Sequence, residues 1–478
     1  MKTQTHILSV DEKERIHAQS LHLLAETGIR FHGERALPLL ERHGARVDWE
    51  ERLAFIPAEL VAQALDQAPK QVRLGGRNPA YSYTMPSSET RYCIDGTATL
   101  ALDFESGERR YGTRKDIENG LRVFQQLEVG AMAWAPVCAA DTPAHSRALH
   151  EFFTMARFSS RHGQHELHTV EQAPYLVEGL AAIAGSEEAL REQLLYSLIY
   201  CPVAPLTHDG PMLDAYLELG QAGLPVMIMP MPVTGTTGPA SLFSNLVVAN
   251  MELLSSLVVF QLAHPGRALI YSSATGSVDF RSGAYLGGTA EMGLQSAALV
   301  EMARHYDLPA SSAGMTSDAR QPGAEAVLEK VVTTLPPVLA GADLIIGLGE
   351  IESDQLLVLE QLVVDQEIAR FCQRLRQGVD SSPACDLAED IARVGPGGHY
   401  LSSRNTRRLA HSREFFVSAL EDHHSYEAWL SLGQPTMYSK ARQVVREILE
   451  GPVVDPLPEA VEARLEEILR RADRDLKN

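Results

Sequence analysis

Residues 311–330 read SSAGMTSDARQPGAEAVLEK, and their grammar decides the fold. A short run of small residues ends at Ala313-Gly314. A polar turn follows, Met315-Thr316-Ser317-Asp318, and a helix begins near Pro322, carrying Glu325 and Glu329. Small residues at a strand end let a ligand or another backbone approach closely. The unit is strand, loop, helix.

The same unit recurs in both directions. From about residue 129 the chain predicts strands over 131–137, 164–169, 197–203, 225–230, 268–273, 310–314 and 343–347. Helical segments separate them, including 212–222, 242–263, 292–306 and 325–339. Short apolar strands alternating with longer helices argue for a parallel sheet covered by helices. Seven strands are placed this way, and an eighth would close a barrel, although periodicity does not locate it. The competing architecture is an open doubly wound sheet, which announces itself by a glycine-rich phosphate loop after its first strand. Neither G-x-G-x-x-G nor G-x-x-x-x-G-K-[ST] occurs, and Gly395-Pro396-Gly397-Gly398 has no lysine. The expected class is therefore α/β, a (β/α)8 TIM barrel with an N-terminal helical/β extension and C-terminal helices. The expected division is 1–128 for the extension and 129–478 for the barrel with its C-terminal helices. Within the extension, helices are expected over 11–27, 34–43 and 57–67, and residues 81–111 read as strands or hairpins.

Composition narrows the function. The 478 residues are 45% hydrophobic and 22% charged, enough for a large core without disulfides. Five scattered cysteines with no C-x-x-C pair speak against zinc ribbons and thioredoxin chemistry and suit a reducing compartment. A net charge of −20 makes nucleic acid and anionic membranes poor partners. Residues 1–10 lack the apolar core of a signal peptide, and the apolar run 242–262 is interrupted by Ser244, Asn245, Asn250, Glu252 and Ser255, so it reads as a buried helix. A cytoplasmic protein is expected.

In a parallel barrel, ligand groups project from loops after the strand C-termini. The loop after the fourth of the seven strands, 231–239, includes Met231, Thr234 and Gly235. It is dense in glycine and threonine and offers backbone donors for an anion such as a substrate carboxylate, or it is a loop needing turn residues. Later loops contribute Tyr271, then Thr316 and Asp318, then Glu350. Asp354 reads as the acidic first turn of a helix. His162, His165 and His168 share no face on a strand, so no metal triad is expected; His165 alone is assigned to a pocket. No H-E-x-x-H or G-x-S-x-G is present.

Taken together, the chain resembles the trimethylamine methyltransferase family. The markers are Glu26-Thr27-Gly28-Ile29, Ile56-Pro57, Ala68-Pro69, Asn250 with Glu252, Pro265-Gly266, Ser317-Asp318-Ala319, and Glu360-Gln361-Leu362-Val363 with Asp365, in shared order over about residues 10–470. In the archaeal members, pyrrolysine precedes an S-D-A-K run; here Thr316 precedes Ser317-Asp318-Ala319-Arg320, so the chain is similar to the branch without pyrrolysine. The resemblance implies a barrel and a methyl transfer from a methylated amine to the Co(I) corrinoid (cobalamin type) of a partner protein, with no metal bound by this chain itself; the large acidic barrel is compatible with a homo-oligomer. Threonine cannot form the adduct that pyrrolysine is thought to form. A quaternary ammonium already has a neutral amine as leaving group, so a quaternary substrate is expected. Its charge disappears in the transition state, so a carboxylate tight against nitrogen would favour the ground state. Aromatic faces are expected there instead, with Tyr92 and Tyr271 as candidates. The implied catalytic set is Thr316, Asp318 and Glu350; the implied substrate-binding set is Tyr92, His165, Met231, Thr234, Gly235 and Tyr271. Two departures point away from betaine: Gly347 stands where some betaine-type relatives carry histidine, and Glu350 where an apolar residue is expected. The alternatives are a tertiary amine or other methyl donor, and a non-catalytic relative binding amines or a corrinoid protein.

Overall fold

Eight short parallel strands form one sheet in the computed structural model, which describes residues 3–477. In chain order they are β1 (Arg91–Ile94), β2 (Gly130–Ala133), β3 (His162–His165), β4 (Tyr196–Tyr200), β5 (Val226–Ile228), β6 (Leu269–Tyr271), β7 (Ser311–Ala313) and β8 (Leu344–Leu348). Their spatial order is β6-β5-β4-β3-β2-β1-β8-β7. The ends of that row meet: Tyr271 bridges Ala310, the Tyr271 N–H donates to Pro309 O at 3.0 Å, and the Ala313 N–H donates to Ser273 O at 2.7 Å. The sheet is thereby a barrel with one sparser seam. Every residue of β4 and β8 is buried, as strands covered on both faces must be. Each fully buried Leu or Ile there contributes roughly 1.5–3 kcal/mol of apolar burial.

At least one helix follows each strand: α1 (Arg114–Gln125), α2 (Arg147–Phe158), α3 (Ala173–Ala184, with the short Glu187–Gln193 after it), α4 (Gly210–Glu218), α5 (Leu242–Ala263), α6 (Ala290–His305), α7 (Ala324–Ala340) and α8 (Leu359–Gln377). The (β/α)8 expectation holds, and all seven predicted strands are present, each covering only part of its predicted range.

The strand that periodicity did not place is β1. It pairs with β8 through Tyr92 and Ile345, and with β2 through Tyr92 and Gly130. It therefore lies inside the stretch assigned to the extension, and the boundary at 128/129 falls within the barrel. Its neighbours are hairpins as expected: Leu100–Leu102 pairs with Arg109–Tyr111, and Tyr83–Met85 with Val72–Leu74. The latter hairpin sits at the N-terminal end of the barrel, where Gly75 O meets His162 Nδ1 at 3.1 Å. A Cβ at Gly75 would lie 1.9 Å from Gln193 O, so only glycine fits.

The extension proper begins with the helix Val10–Glu26, whose start is fixed by reciprocal Ser9 and Glu12 bonds. A small sheet of Ile29–Phe31, Arg46–Asp48 and Leu53–Phe55 accepts Thr207–His208, from the loop after β4, as its fourth strand. At the other end of the chain, Met437–Glu450 packs on α8 and Glu459–Asp475 on α3. Among the described residues one helix, α5, is long and apolar enough to cross a membrane by length and composition, and most of it is buried inside the protein.

Candidate active site

Helix α7 builds the floor of the barrel mouth. Its residues Glu329, Lys330, Thr333 and Thr334 lie on neighbouring positions one turn apart, and all reach the loops after β7 and β8. The Met315 N–H donates to Thr334 Oγ1 (2.9 Å) and the Thr316 N–H to Thr333 Oγ1 (3.2 Å). Glu329 Oε2 accepts from Ser317 Oγ (2.7 Å) and from the Asp318 N–H (2.8 Å). Lys330 donates to Gly347 O (3.1 Å) and to Asp365 (2.9 Å), and it is fully buried. The loops thus stand on a rigid helix face. Strands β7 and β8 approach so closely that a Cβ at Gly347 (φ +137°) would sit 1.8 Å from Gly314 O. No histidine fits at that position on this backbone.

Thr316 sits at the mouth end of β7, 1% exposed, with its hydroxyl donating back to Gly314 O at 3.4 Å. Asp318 has a structural task. Its two oxygens accept from the Gly287 N–H (2.8 Å), the Gly288 N–H (2.9 Å) and Ser353 Oγ (2.7 Å). It braces the loop after β6 against the loop after β8 and is not free to act on a substrate. That corrects its assignment to the reacting set.

Glu350 differs. It is completely buried, and neither carboxyl oxygen has a hydrogen-bond partner. The Ala98 N–H that bears on it is given to Pro136 O. Burial pushes its carboxyl well above the usual range, Asp95 and Asp354 push it further, and Lys330 opposes them. Asp95, at the end of β1, is lifted to about 6 by burial, against the Gly96 N–H and the Lys330 charge. Asp354 is raised well above its usual value by burial first and by Asp95 next; its Oδ1 is buried without a partner. Asp95 and Asp354 come close enough to share a proton. The nearby cation, Lys330, is already engaged by Asp365. The cluster is short of positive charge.

The backbone is bent to make this cluster. Glu352, Ser353 and Asp354 are three successive non-glycine residues with left-handed φ of 61°, 56° and 61°, each costing ~1–2 kcal/mol. Offsetting bonds surround them: Glu352 N–H to Ala319 O (3.1 Å), Ser353 N–H to Ser317 O (2.7 Å), and Arg109 paired in a fork to Glu352 at 2.8 and 3.0 Å. The reading of Asp354 as a helical first turn is corrected, because α8 starts only at Leu359. Strain held by its surroundings is a mark of functional sites.

Beside the acids' loop is Tyr285, from the hairpin Ser277–Val278 and Tyr285–Leu286, with its ring edge next to Gly287. The residue is 38% exposed, yet its hydroxyl end is enclosed: burial raises it strongly, and Asp354, Asp318 and Asp95 add to that.

The tyrosines expected at the mouth are elsewhere. Tyr92 donates to Ala369 O on α8 (3.2 Å) and Tyr271 to Asn250 Oδ1 on α5 (3.0 Å). Both point outward between strand and helix, because adjacent strand residues face opposite sides. His165 likewise packs against α2, where Nε2 meets Glu151 at 2.9 Å and Nδ1 meets Glu166 at 3.2 Å. Burial would lower its value, but the two carboxylates overrule it and hold it at about 10; Glu166 is held at about 2 by that imidazolium despite burial. The Trp134 indole N–H lies 3.0 Å from His165 Nδ1 and 3.1 Å from Glu166 Oε2. A doubly protonated ring cannot accept, so the indole donates to Glu166. His165 is an internal ion-pair member, not a pocket residue.

The 231–239 loop also departs from expectation. Met231 is 39% exposed at the rim. The N–H groups of Val233, Thr234, Gly235, Thr236 and Gly238 are all spent within the protein, on Thr237 Oγ1, Gly276 O, Gly238 O, Val233 O and Val233 O. Thr234 Oγ1 donates to Gln295 (3.2 Å), and Gly235 (φ +96°) is pressed against Phe280. This is a self-satisfied turn that supports the Tyr285 hairpin, not an anion cradle. Sequence reasoning missed Asp95, Lys330 and Tyr285. For Asp95 the signal was available, an acid directly after a strand, but the strand itself was not placed. Among the described residues, the metal-ligand type side chains that converge are Asp380, Cys385 and Glu414, on the C-terminal segment. The mouth carboxyls do not reach that spacing.

The model of the family described as "Trimethylamine methyltransferase (MTTB)" matches residues 1–476. The chain is 29% identical to the trimethylamine methyltransferase MttB of Desulfitobacterium hafniense (strain DSM 10664 / DCB-2) over 465 residues, covering 97% of this chain and 93% of that one. It is 28% identical to the glycine betaine methyltransferase of D. hafniense (strain Y51) over 479 residues, covering 98% of each. Among solved structures, the hydroxylamine complex of MtmB matches with a TM-score of 0.50 at 9% identity, covering 98% of this chain and 89% of that one. That last likeness concerns the fold alone.

Proposed function

The chain belongs to the trimethylamine methyltransferase family and is a methyltransferase, and we propose that it moves a methyl group from a small quaternary amine to the Co(I) of a corrinoid held by a partner protein. The observation that carries this reading is the carboxyl cluster at the C-terminal mouth of the barrel, Asp95 and Glu350 buried and Asp354 half-buried, without matching positive charge. A cationic ligand supplies what the cluster lacks. Carboxylates charged in contact with the nitrogen would hold the ground state too well. The methyl groups of a quaternary cation keep any carboxylate away from the nitrogen itself, which lessens that effect.

Thr316 supports the quaternary form. It offers neither an electrophile nor a free nucleophile, since its hydroxyl bonds back to Gly314 O. A quaternary ammonium needs no activation, because a neutral amine departs. The saturated 231–239 turn and the glycine forced at 347 support a substrate without a carboxylate handle, such as a choline-like cation. The corrinoid, when bound, supplies an exceptionally nucleophilic metal as methyl acceptor. This chain must leave the mouth open to it and hold the donor methyl outward. Phe280 (75% exposed), Met231 and Tyr285 give the rim an apolar surface suited to a docked protein.

A second reading has its own support. A tertiary amine must be protonated before a methyl can leave, and Glu350, kept neutral by burial, is a proton donor in the right place. The test is to mix the protein with a reduced corrinoid protein and a panel of methylated amines. Loss of the Co(I) absorbance with quaternary but not tertiary amines is the expected result. Loss only with a tertiary amine establishes the second reading, and loss with no amine removes both.

A further inference from the structure

We propose that the mouth cluster takes up its cationic ligand by proton exchange: when empty, Asp95 and Asp354 share a proton and Glu350 holds its own, and a bound alkylammonium replaces one of these protons. The inference rests on the amine reading above and specifies the chemistry of that site.

The first support is Glu350. It is fully buried, unpartnered at both oxygens, and faces Asp95 and Asp354. An isolated ionised carboxylate in such a place is costly, so the group stays protonated until a positive charge arrives. The second is that the surroundings offer no other compensation. The charged groups facing the cluster are Lys330, Asp318 and Asp365. Lys330 donates to Asp365, whose remaining bonds come from the Gly349 N–H (2.7 Å) and Gln361 (2.7 Å). Asp318 is spent on the Gly287 and Gly288 N–H groups. The third is Tyr285, a partly exposed residue whose ring edge lies beside Gly287, next to Thr316, and whose hydroxyl feels Asp354, Asp318 and Asp95; its ring can offer an alkylammonium a π face while the carboxyls give it charge. A bare metal ion fits poorly, because the three carboxyls do not come within ligand spacing of one another.

The balance is simple. One carboxyl O–H bond ionises, its electron pair stays on oxygen, its proton goes to solvent, and the cation takes the proton's place. A carboxylic acid and a free tetraalkylammonium ion thus become a carboxylate–tetraalkylammonium ion pair and one solvated proton. A quaternary cation carries no dissociable proton, so every proton released comes from the protein. Binding strengthens as pH rises, by up to about tenfold per pH unit while the cluster is protonated, and levels off where it is ionised.

The test is calorimetric titration of the full chain with tetramethylammonium, with glycine betaine, and with the uncharged isostere 3,3-dimethylbutan-1-ol, each in two buffers of different ionisation heat between about pH 5.5 and 8. The expected result is close to one proton released per cation, none for the alcohol, and a Kd for the cations that tightens with pH. Glu350→Gln, checked for native circular dichroism, is expected to weaken the cation at least tenfold and reduce the proton count. If that variant fails to fold, Tyr285→Leu serves, with weaker cation binding at unchanged proton release. Cation binding with no proton release across the range overturns the proposal. So does methyl transfer from a quaternary amine whose affinity is flat with pH. Proton-linked cation binding without methyl transfer from any amine would retain this site and remove the methyltransfer reading instead.

Discussion

Two groups of buried acids gather near the C-terminal ends of the barrel strands, and they are solved in opposite ways. At the end of β3, Glu151 and Glu166 enclose the His165 imidazolium, the Trp134 indole donates to Glu166, and Thr97 Oγ1 adds a bond at 3.2 Å. Charge and hydrogen bonds are satisfied within the protein. At the ends of β1 and β8, Asp95, Glu350 and Asp354 come together with unpaired oxygens and a lysine already claimed. The contrast shows where to look for a ligand: burial alone does not mark a site, but burial left uncompensated does.

The largest expected effect comes from breaking the balanced side. His165→Gln leaves two buried carboxylates unpaired and is expected to cost about 3–5 kcal/mol at neutral pH, read by denaturant unfolding. Because the folded His165 value lies near 10, its contribution is complete below its ordinary value and lost as pH rises through about 10; that of Glu166, held at about 2, is lost as pH falls toward 2. The deficit of the variant should therefore shrink at both extremes.

A smaller loss, about 1–3 kcal/mol, is expected for Asp318→Asn, whose amide cannot accept from all three donors. Since Asp318 holds the loop beside Tyr285, faster amide hydrogen exchange at Gly287 and Gly288 should accompany it. The unbalanced side should respond with the opposite sign. Asp95 is raised to about 6, so its ionised form costs stability that appears as pH rises above the ordinary carboxylate range and is complete above 6. Asp95→Asn is expected to melt roughly 1–3 °C higher than the parent above about pH 6 and no higher below about pH 4. Smallest is Tyr285→Leu: stability within about 0.5 kcal/mol, with tetramethylammonium binding about threefold to tenfold weaker.

Much of the architecture was legible. Apolar runs such as Leu344-Ile345-Ile346 and the strand-loop-helix unit at 311–330 lead to a barrel, and α5 lies where the sequence put it. β1 was not legible, because Arg91-Tyr92-Cys93-Ile94 is four residues long, opens on a charge and sits among true hairpins. Losing β1 also lost Asp95. Thr316 and Glu350 were legible as residues at strand ends. The aromatic assignments failed through the twofold alternation of strands: a residue type says nothing of which face it occupies until the register is known. Asp354 was misread because a left-handed run of three non-glycine residues has no sequence signature. The 231–239 turn was misread because composition does not reveal which donors a turn spends on itself.

The central claim, that the uncompensated acids at β1 and β8 are where the amine is held for transfer, is met most directly by one measurement: the rate of Co(I) loss with a quaternary amine and a reduced corrinoid protein, for the parent chain and for folded Glu350→Gln. The account predicts turnover in the parent and, in the variant, a fall of at least tenfold in kcat/KM, read from the rates at low amine concentration. Equal rates in the two proteins would contradict it and place the amine elsewhere in the barrel.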